Sequence, residues 1–183
     1  DVLYSKGYQA YIKGEYEKAV QYYNRYLVQK PKDVDVMAAM ASCQLRLGEY
    51  HQAAVTIQKA IAIRTDKASL YKLAAIIYDI CGNIDEAGKA AQKAFEFGKT
   101  DSIVLTLLGK SNAAAGRQEE ALKNLSEAIK QNPNNLSARF HIAKPFKKMG
   151  QIDSAKQHFE EVLWARFDTP LKEKAKKEME GLL

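Results

Sequence analysis

The chain has 183 residues, with 28 Lys and Arg against 22 Asp and Glu, for a net charge of +6 at neutral pH. Its apolar share of 46% is ordinary for a globular protein, and no apolar run approaches the roughly 20 residues that a bilayer-spanning helix needs, which excludes such a span within the chain. The positive charge is spread without a dense block, so it reads as a solvated, lysine-rich surface with a mild preference for acidic partners. The chain begins at Asp1 rather than Met, as a trimmed or processed form would; a leader or anchor removed ahead of it is compatible with the sequence, and the cytoplasm is the favoured location.

Taken in chain order, the elements repeat. Apolar and small residues at Leu3, Gly7, Ala10 and Tyr11 mark a first helix, Gly14 closes it, and Tyr16, Ala19, Val20, Tyr23, Tyr26 and Leu27 mark a second one before Pro31. The same unit returns at Gly48, Gly82, Gly116 and Gly150, each 34 residues after the last, with Ala53, Ala87, Ala121 and Ala155 keeping step as Ala19 does. A glycine suits these helix ends because the closing residue is left-handed. Of the residues that follow the five glycines, Glu15, Glu49 and Asn83 suit a helix start by charge or capping, whereas Arg117 and Gln151 do not. The second and third units end in the polar turns Arg64-Thr65-Asp66 and Gly98-Lys99-Thr100-Asp101, and the fourth ends at Pro133. In the fifth, Pro145 falls inside the first helix at a cost of roughly 3 kcal/mol in a regular helix, so a kink or a short non-α segment is expected near His141–Pro145. Asp168-Thr169-Pro170 then starts a last helix, whose narrow stripe of Leu171, Ala175, Met179 and Leu182 fits a cap over the final repeat.

The small residues fall in columns. Gly7, Ala41, Ala75, Gly109 and Ala143 share one register on the first helices, where they let each pair of helices approach closely. Tyr23, Ile57, Leu125 and Phe159 plug the next layer, with Ala91 as the weak member. Tyr26 is bulky beside Ala60, Ala94, Ala128 and Val162, and the small-residue run Met37–Ser42 is expected to compensate for it. Cys43 and Cys81 have no metal-ligand spacing and read as two buried free thiols.

The clearest unit, Leu105, Leu108-Gly109, Gly116, Ala121, Leu125, Ala128 and Pro133, resembles the tetratricopeptide repeat family, and so does Leu3, Gly7, Gly14, Ala19, Tyr23, Leu27 and Pro31. The likeness covers residues 1 to about 167, and the period disfavours the related 35-residue RNA-reading repeats. It implies an all-α, right-handed superhelical solenoid forming one domain over 1–183: repeats at about 1–33, 34–67, 68–101, 102–135 and 136–167, and a C-terminal capping helix at about 170–182. It also implies a concave groove lined by the first helices, which takes a peptide or helix of a partner protein.

The outward positions that this groove would use include Tyr4, Tyr8 and Tyr11 in the first unit, and Leu45 in the second. The third contributes Lys72 and Ile76, the fourth Thr106, Leu107 and Lys110, and the fifth Phe140, His141, Lys144, Lys147 and Lys148. This surface is aromatic at its N-terminal end and basic at its C-terminal end, which suits a segment with apolar residues at one end and acidic residues at the other. The alternative for the tyrosines is that they shield an N-terminal end with no preceding repeat. The two-carboxylate clamp by which some members of the family grip chaperone tails is not matched, because its places hold Tyr4 and Tyr8, then Ala39, then Ser69 and Leu73.

His51, His141 and His158 lie in different repeats, and neither a phosphate-binding glycine loop nor a nucleophile elbow is visible, so no enzyme, cofactor or metal is expected. The function expected is a protein-interaction scaffold. One alternative is a self-assembling bacterial scaffold of the magnetosome-associated type, resting on repeat number and on an apolar end at Val2, Leu3 and Val20. The other is nucleic-acid binding through the basic end, against which the lysines and aromatics are not interleaved.

Overall fold

The glycine ladder sets the backbone. In the computed structural model, which describes residues 2–182, Gly14, Gly48, Gly82, Gly116 and Gly150 all have φ between 75° and 81°. At the first of these the Gly14 amide donates to the Tyr11 carbonyl and the Glu15 amide to that of Ala10, the paired bonds of a Schellman ending, and the other four repeat the pattern. Gly98, off the ladder, ends its helix in the same way with φ 87°.

Among the described residues there are eleven α-helices and no strand. Two compact units form, Asp1–Lys99 and Thr100–Leu183. The first holds α1 (Val2–Ile12), α2 (Tyr16–Gln29), α3 (Val34–Arg46), α4 (Tyr50–Ile63), α5 (Ala68–Ile80) and α6 (Ile84–Glu96). The second holds α7 (Ser102–Ala114), α8 (Gln118–Gln131), α9 (Leu136–Lys148), α10 (Ile152–Leu163) and α11 (Pro170–Glu180). In each unit consecutive helices pack in hairpins, and α3 also touches α5 as α7 touches α9.

The residue after each ladder glycine has no capping role for its side chain. Glu15, Glu49, Asn83, Arg117 and Gln151 have φ from −82° to −84° and ψ from 57° to 76°, and none of their side chains caps the helix that follows. This corrects the capping expected of Glu15, Glu49 and Asn83. One residue both closes one helix through its amide and opens the next through its carbonyl, which holds it near an inverse γ-turn rather than in the extended conformation from which a cap folds back. Side-chain caps occur instead on first helices: Asp33 accepts from the Val36 amide, Asp101 from those of Ile103 and Val104, and Asn135 from that of Ala138.

The columns are buried as their spacing requires. Ala19, Ala53, Ala121 and Ala155 have no exposed surface, and Tyr23, Ile57, Leu125 and Phe159 are buried above them. Tyr26 is accommodated in a cluster with Val36, Met40 and Cys43, and its hydroxyl donates to Asp33 Oδ2 at 2.8 Å. Burial pushes the Tyr23 hydroxyl up to about 12 and the Cys43 thiol up to about 11. Cys81, expected to be buried, is exposed, because it is the residue just past the end of α5.

Two further expectations are corrected. The helix α9 runs unbroken through Pro145, which sits three residues from its end and is fully buried. The lost donor costs one bond of the ladder, which resumes when Pro145 accepts from the Met149 amide at 2.9 Å. The apolar end expected at Val2, Leu3 and Val20 shrinks to Val2, since Leu3 and Val20 pack against the first cluster.

A polar network ties the second unit together. Asn135 Nδ2 donates to Ser102 Oγ at 2.8 Å and to Thr106 Oγ1 at 2.9 Å, while Ser102 Oγ donates to the Ala128 carbonyl. The helix α11 covers α10 and α9 with Ala175 buried and Leu171, Met179 and Leu182 partly buried, as its stripe requires.

A Cβ added at Gly109 would stand 2.4 Å from Leu125 Cγ, and one at Gly7 would stand 2.6 Å from the Tyr23 ring. Alanine favours a helix by about 1 kcal/mol over glycine, yet this overlap with fully buried partners should cost about 1–3 kcal/mol. Gly109→Ala is therefore expected to lower the urea midpoint of unfolding despite its higher propensity; a raised midpoint would show that the helices do not meet this closely.

Candidate functional site

Burial decides which of the expected groove residues can meet a partner. In the first unit Tyr4 and Tyr8 are exposed, with parallel rings 6.4 Å apart. Tyr4 also leans on the buried Tyr23 and Tyr26 at 6.5 and 6.1 Å, so this exposed pair stands on a rigid aromatic base. Tyr11 is half-buried edge-on to Tyr16 and belongs to the packing of α1 on α2. Leu45, Lys72 and Ile76 are each partly buried, on α3 and α5. A pocket of about 610 Å³ in this unit, lined by Val2, Lys6, Lys13 and Lys18 among others, contains none of these residues.

In the second unit Lys110, Phe140, His141 and Lys144 converge on one pocket of about 630 Å³. The first comes from α7 and the other three from α9. Leu171, Lys174, Lys177 and Glu178 of α11 complete the lining. Thr106 and Leu107, expected to face outward, are buried, as is every residue from Val104 to Gly109, because α7 packs on both α8 and α9. Thr106 is also claimed by the Asn135 network.

Phe140 needs a correction too. It is only 3% exposed, with its ring 5.7 Å from that of Phe159 in the cluster that α11 covers. It is a core residue that forms part of the pocket lining, not a ring offered freely. Lys144 Nζ lies 5.1 Å from the centroid of that ring. Lys147, expected in the groove, instead reaches Glu178 Oε2 on α11 at 3.1 Å.

The electrostatics are those of crowded cations. Burial holds the Lys144 ammonium below its ordinary value, Lys110, Lys174 and Lys148 push it the same way, and Glu178 opposes them. Burial likewise pushes the His141 imidazole down to about 3, with Lys110, Lys144 and Lys174 adding to the effect. At neutral pH the imidazole is therefore uncharged among ammonium groups.

The contribution of α11 was missed by sequence reasoning. Its signal is present: Leu171, Lys174 and Lys177 recur every three residues on a face beside the apolar stripe. What the sequence lacks is any indication that this face turns toward Lys110 and Lys144.

The Tetratricopeptide repeat family profile matches residues 10–77 and 112–171, well over half of the chain. The chain belongs to the tetratricopeptide repeat (TPR) family. TPR proteins serve generally as protein-interaction scaffolds. The TPR repeat-containing protein MJ1428 of Methanocaldococcus jannaschii is 32% identical over 151 residues, 82% of this chain and 26% of that protein, so the chain spans about a quarter of this relative. Among solved structures, MamA is similar with a TM-score of 0.76 at 19% identity, over 96% of this chain and 93% of that one. YrrB, described as a TPR protein with an unusual peptide-binding site, is similar with a TM-score of 0.78 at 17% identity, over 96% and 90%. At these identities the likeness is one of TPR fold.

The neutral His141 has a consequence for stability. Its folded pKa lies below the unfolded value of 6.5, so between about pH 6.5 and 3 the unfolded chain binds the extra proton and stability falls as pH falls. The slope contributed approaches one proton, about 1.4 kcal/mol per pH unit. Denaturation of the protein and of His141→Gln at pH 7, 5 and 4 should show the variant losing less stability on acidification; parallel profiles would contradict a partly buried neutral imidazole.

Proposed function

We propose that this TPR chain binds segments of partner proteins on the exposed sides of its first helices, and that each unit has one contact region of its own chemistry. One is the aromatic surface of Tyr4 and Tyr8, with Leu45, Lys72 and Ile76 as further contacts of the first unit. The other is the basic pocket of the second unit around Lys110 and Lys144. The observation that carries this reading is the convergence of Lys110, Phe140, His141 and Lys144, drawn from two first helices, on one pocket. A scaffold needs such a place where separate repeats present side chains to one ligand. Stacked tyrosines backed by buried rings supply the second requirement, a large contact area that loses little entropy on binding.

The first region suits an apolar segment and the second an acidic one, and no catalytic step is assigned to either. Packing of Leu3 and Val20 takes away most of the apolar end on which a self-assembling reading rested. The lysines of the second unit gather around a cavity rather than forming a track along which aromatics alternate, which favours a protein ligand over a nucleic acid.

Fluorescence anisotropy with two labelled hexapeptides, one of leucine and phenylalanine and one of glutamate, tests this. Tyr4→Ala with Tyr8→Ala should weaken binding of the first peptide about tenfold, and Lys144→Gln binding of the second by as much, the scale of an interface anchor. Unchanged affinity in both variants would sink the proposal.

A further inference from the structure

We infer that the pocket bounded by α7, α9 and α11 recognises a phosphoryl group on the partner segment, and that α11 is a ligand-contacting helix as well as a cap. This rests on the reading above that the second unit binds a peptide.

Charge comes first. Lys144, Lys174 and Lys177 line the cavity together with Lys110, and among the described lining residues the carboxylate is Glu178, which accepts from Lys147 at 3.1 Å. Burial is the main cause of the lowered basicity of Lys144, Glu178 opposes it, and Lys110, Lys174 and Lys148 add to it. A phosphoryl group carries about −1.5 to −2 at neutral pH and three acceptor oxygens, so it can meet several of these ammonium groups at once.

The donor type agrees. The cations among the lining residues are lysines, whose ammonium groups act as point charges that can surround a tetrahedral anion. His141 fits between them, because an uncharged imidazole has an N–H to donate without adding to the repulsion. The lining agrees as well: it comes from three helices around an open cavity, with Phe140 and Leu171 as apolar surface beside the cations, which suits a side chain carrying a charged head group. Lys174 and Lys177 are exposed on α11, so they meet a ligand without a role in the core.

The test uses the full chain and a fluorescein-labelled octapeptide of leucine and alanine around one phosphoserine, beside the same peptide with serine or glutamate and a single-stranded oligonucleotide of eight thymidines. The phosphopeptide should bind at least tenfold tighter than each of the other three. Lys174→Gln with Lys177→Gln should remove that preference without changing the thermal midpoint, and Lys174→Arg should retain most of it. Phosphorus NMR should show the second phosphate pKa, ordinarily about 6, falling on binding. Equal affinity for the phosphoserine and glutamate peptides, tighter binding of the oligonucleotide, or indifference to the two α11 substitutions would each overturn the inference. Binding of the leucine and phenylalanine peptide at Tyr4 and Tyr8, and of the glutamate peptide at Lys144, is measured separately, so the reading above can stand while the phosphoryl inference fails.

Discussion

The closest constraint in this protein is the contact between a small residue on each first helix and a large one on the second. Gly7 lies against the Tyr23 ring and Gly109 against Leu125, at separations that leave no room for a methyl group. Ala41, Ala75 and Ala143 hold the same register with no exposed surface. Close approach of the helix axes lets the alanines at Ala19, Ala53, Ala121 and Ala155 pack without voids. It also fixes which side of each first helix is left over. Everything available for binding is what this contact does not use.

The left-over side is not uniform. On α1 it carries a stacked tyrosine pair supported from beneath by buried tyrosines. On α7 it is almost absent, since that helix is buried from Val104 to Gly109 and only Lys110 enters the pocket from it. On α9 it is shared with α11, which covers Phe140 and Ala143 while leaving His141 and Lys144 at the cavity. A helix that seals the apolar end of the last repeat thereby brings two more ammonium groups to the same place. Sealing and recognition use adjacent faces of one helix: Ala175 and Met179 turn to the core, and Lys174 and Lys177 turn to the pocket.

The turns show how much freedom the sequence retains. The left-handed glycine is required at Gly14 and its equivalents, because any side chain there is strained. The turn uses only the backbone amide and carbonyl of the next residue, which explains why Glu, Asn, Arg and Gln all occur there. Pro145 makes the converse point. A residue that disfavours a helix in isolation is tolerated when it forfeits one bond near the end and its ring is fully buried.

The sequence by itself determined the periodic part of this protein: the TPR helix pairs, the glycine endings, the columns of small and large residues, and the last helix with its stripe. Those follow from local spacing, because a helix repeats every 3.6 residues and a buried face must repeat with it. It also named Tyr4, Tyr8, Lys110 and Lys144 as surface candidates. Only the tertiary structure decided that Phe140, Thr106 and Leu107 are packed, that Lys147 is tied to Glu178, and that Lys174 and Lys177 join Lys110 and Lys144 around a neutral His141. The reason is physical: periodicity gives the face of a residue on its own helix. Burial and charge depend on which other helices lie within a few ångströms of it, and those are set by contacts between α7, α9 and α11 that no local pattern encodes.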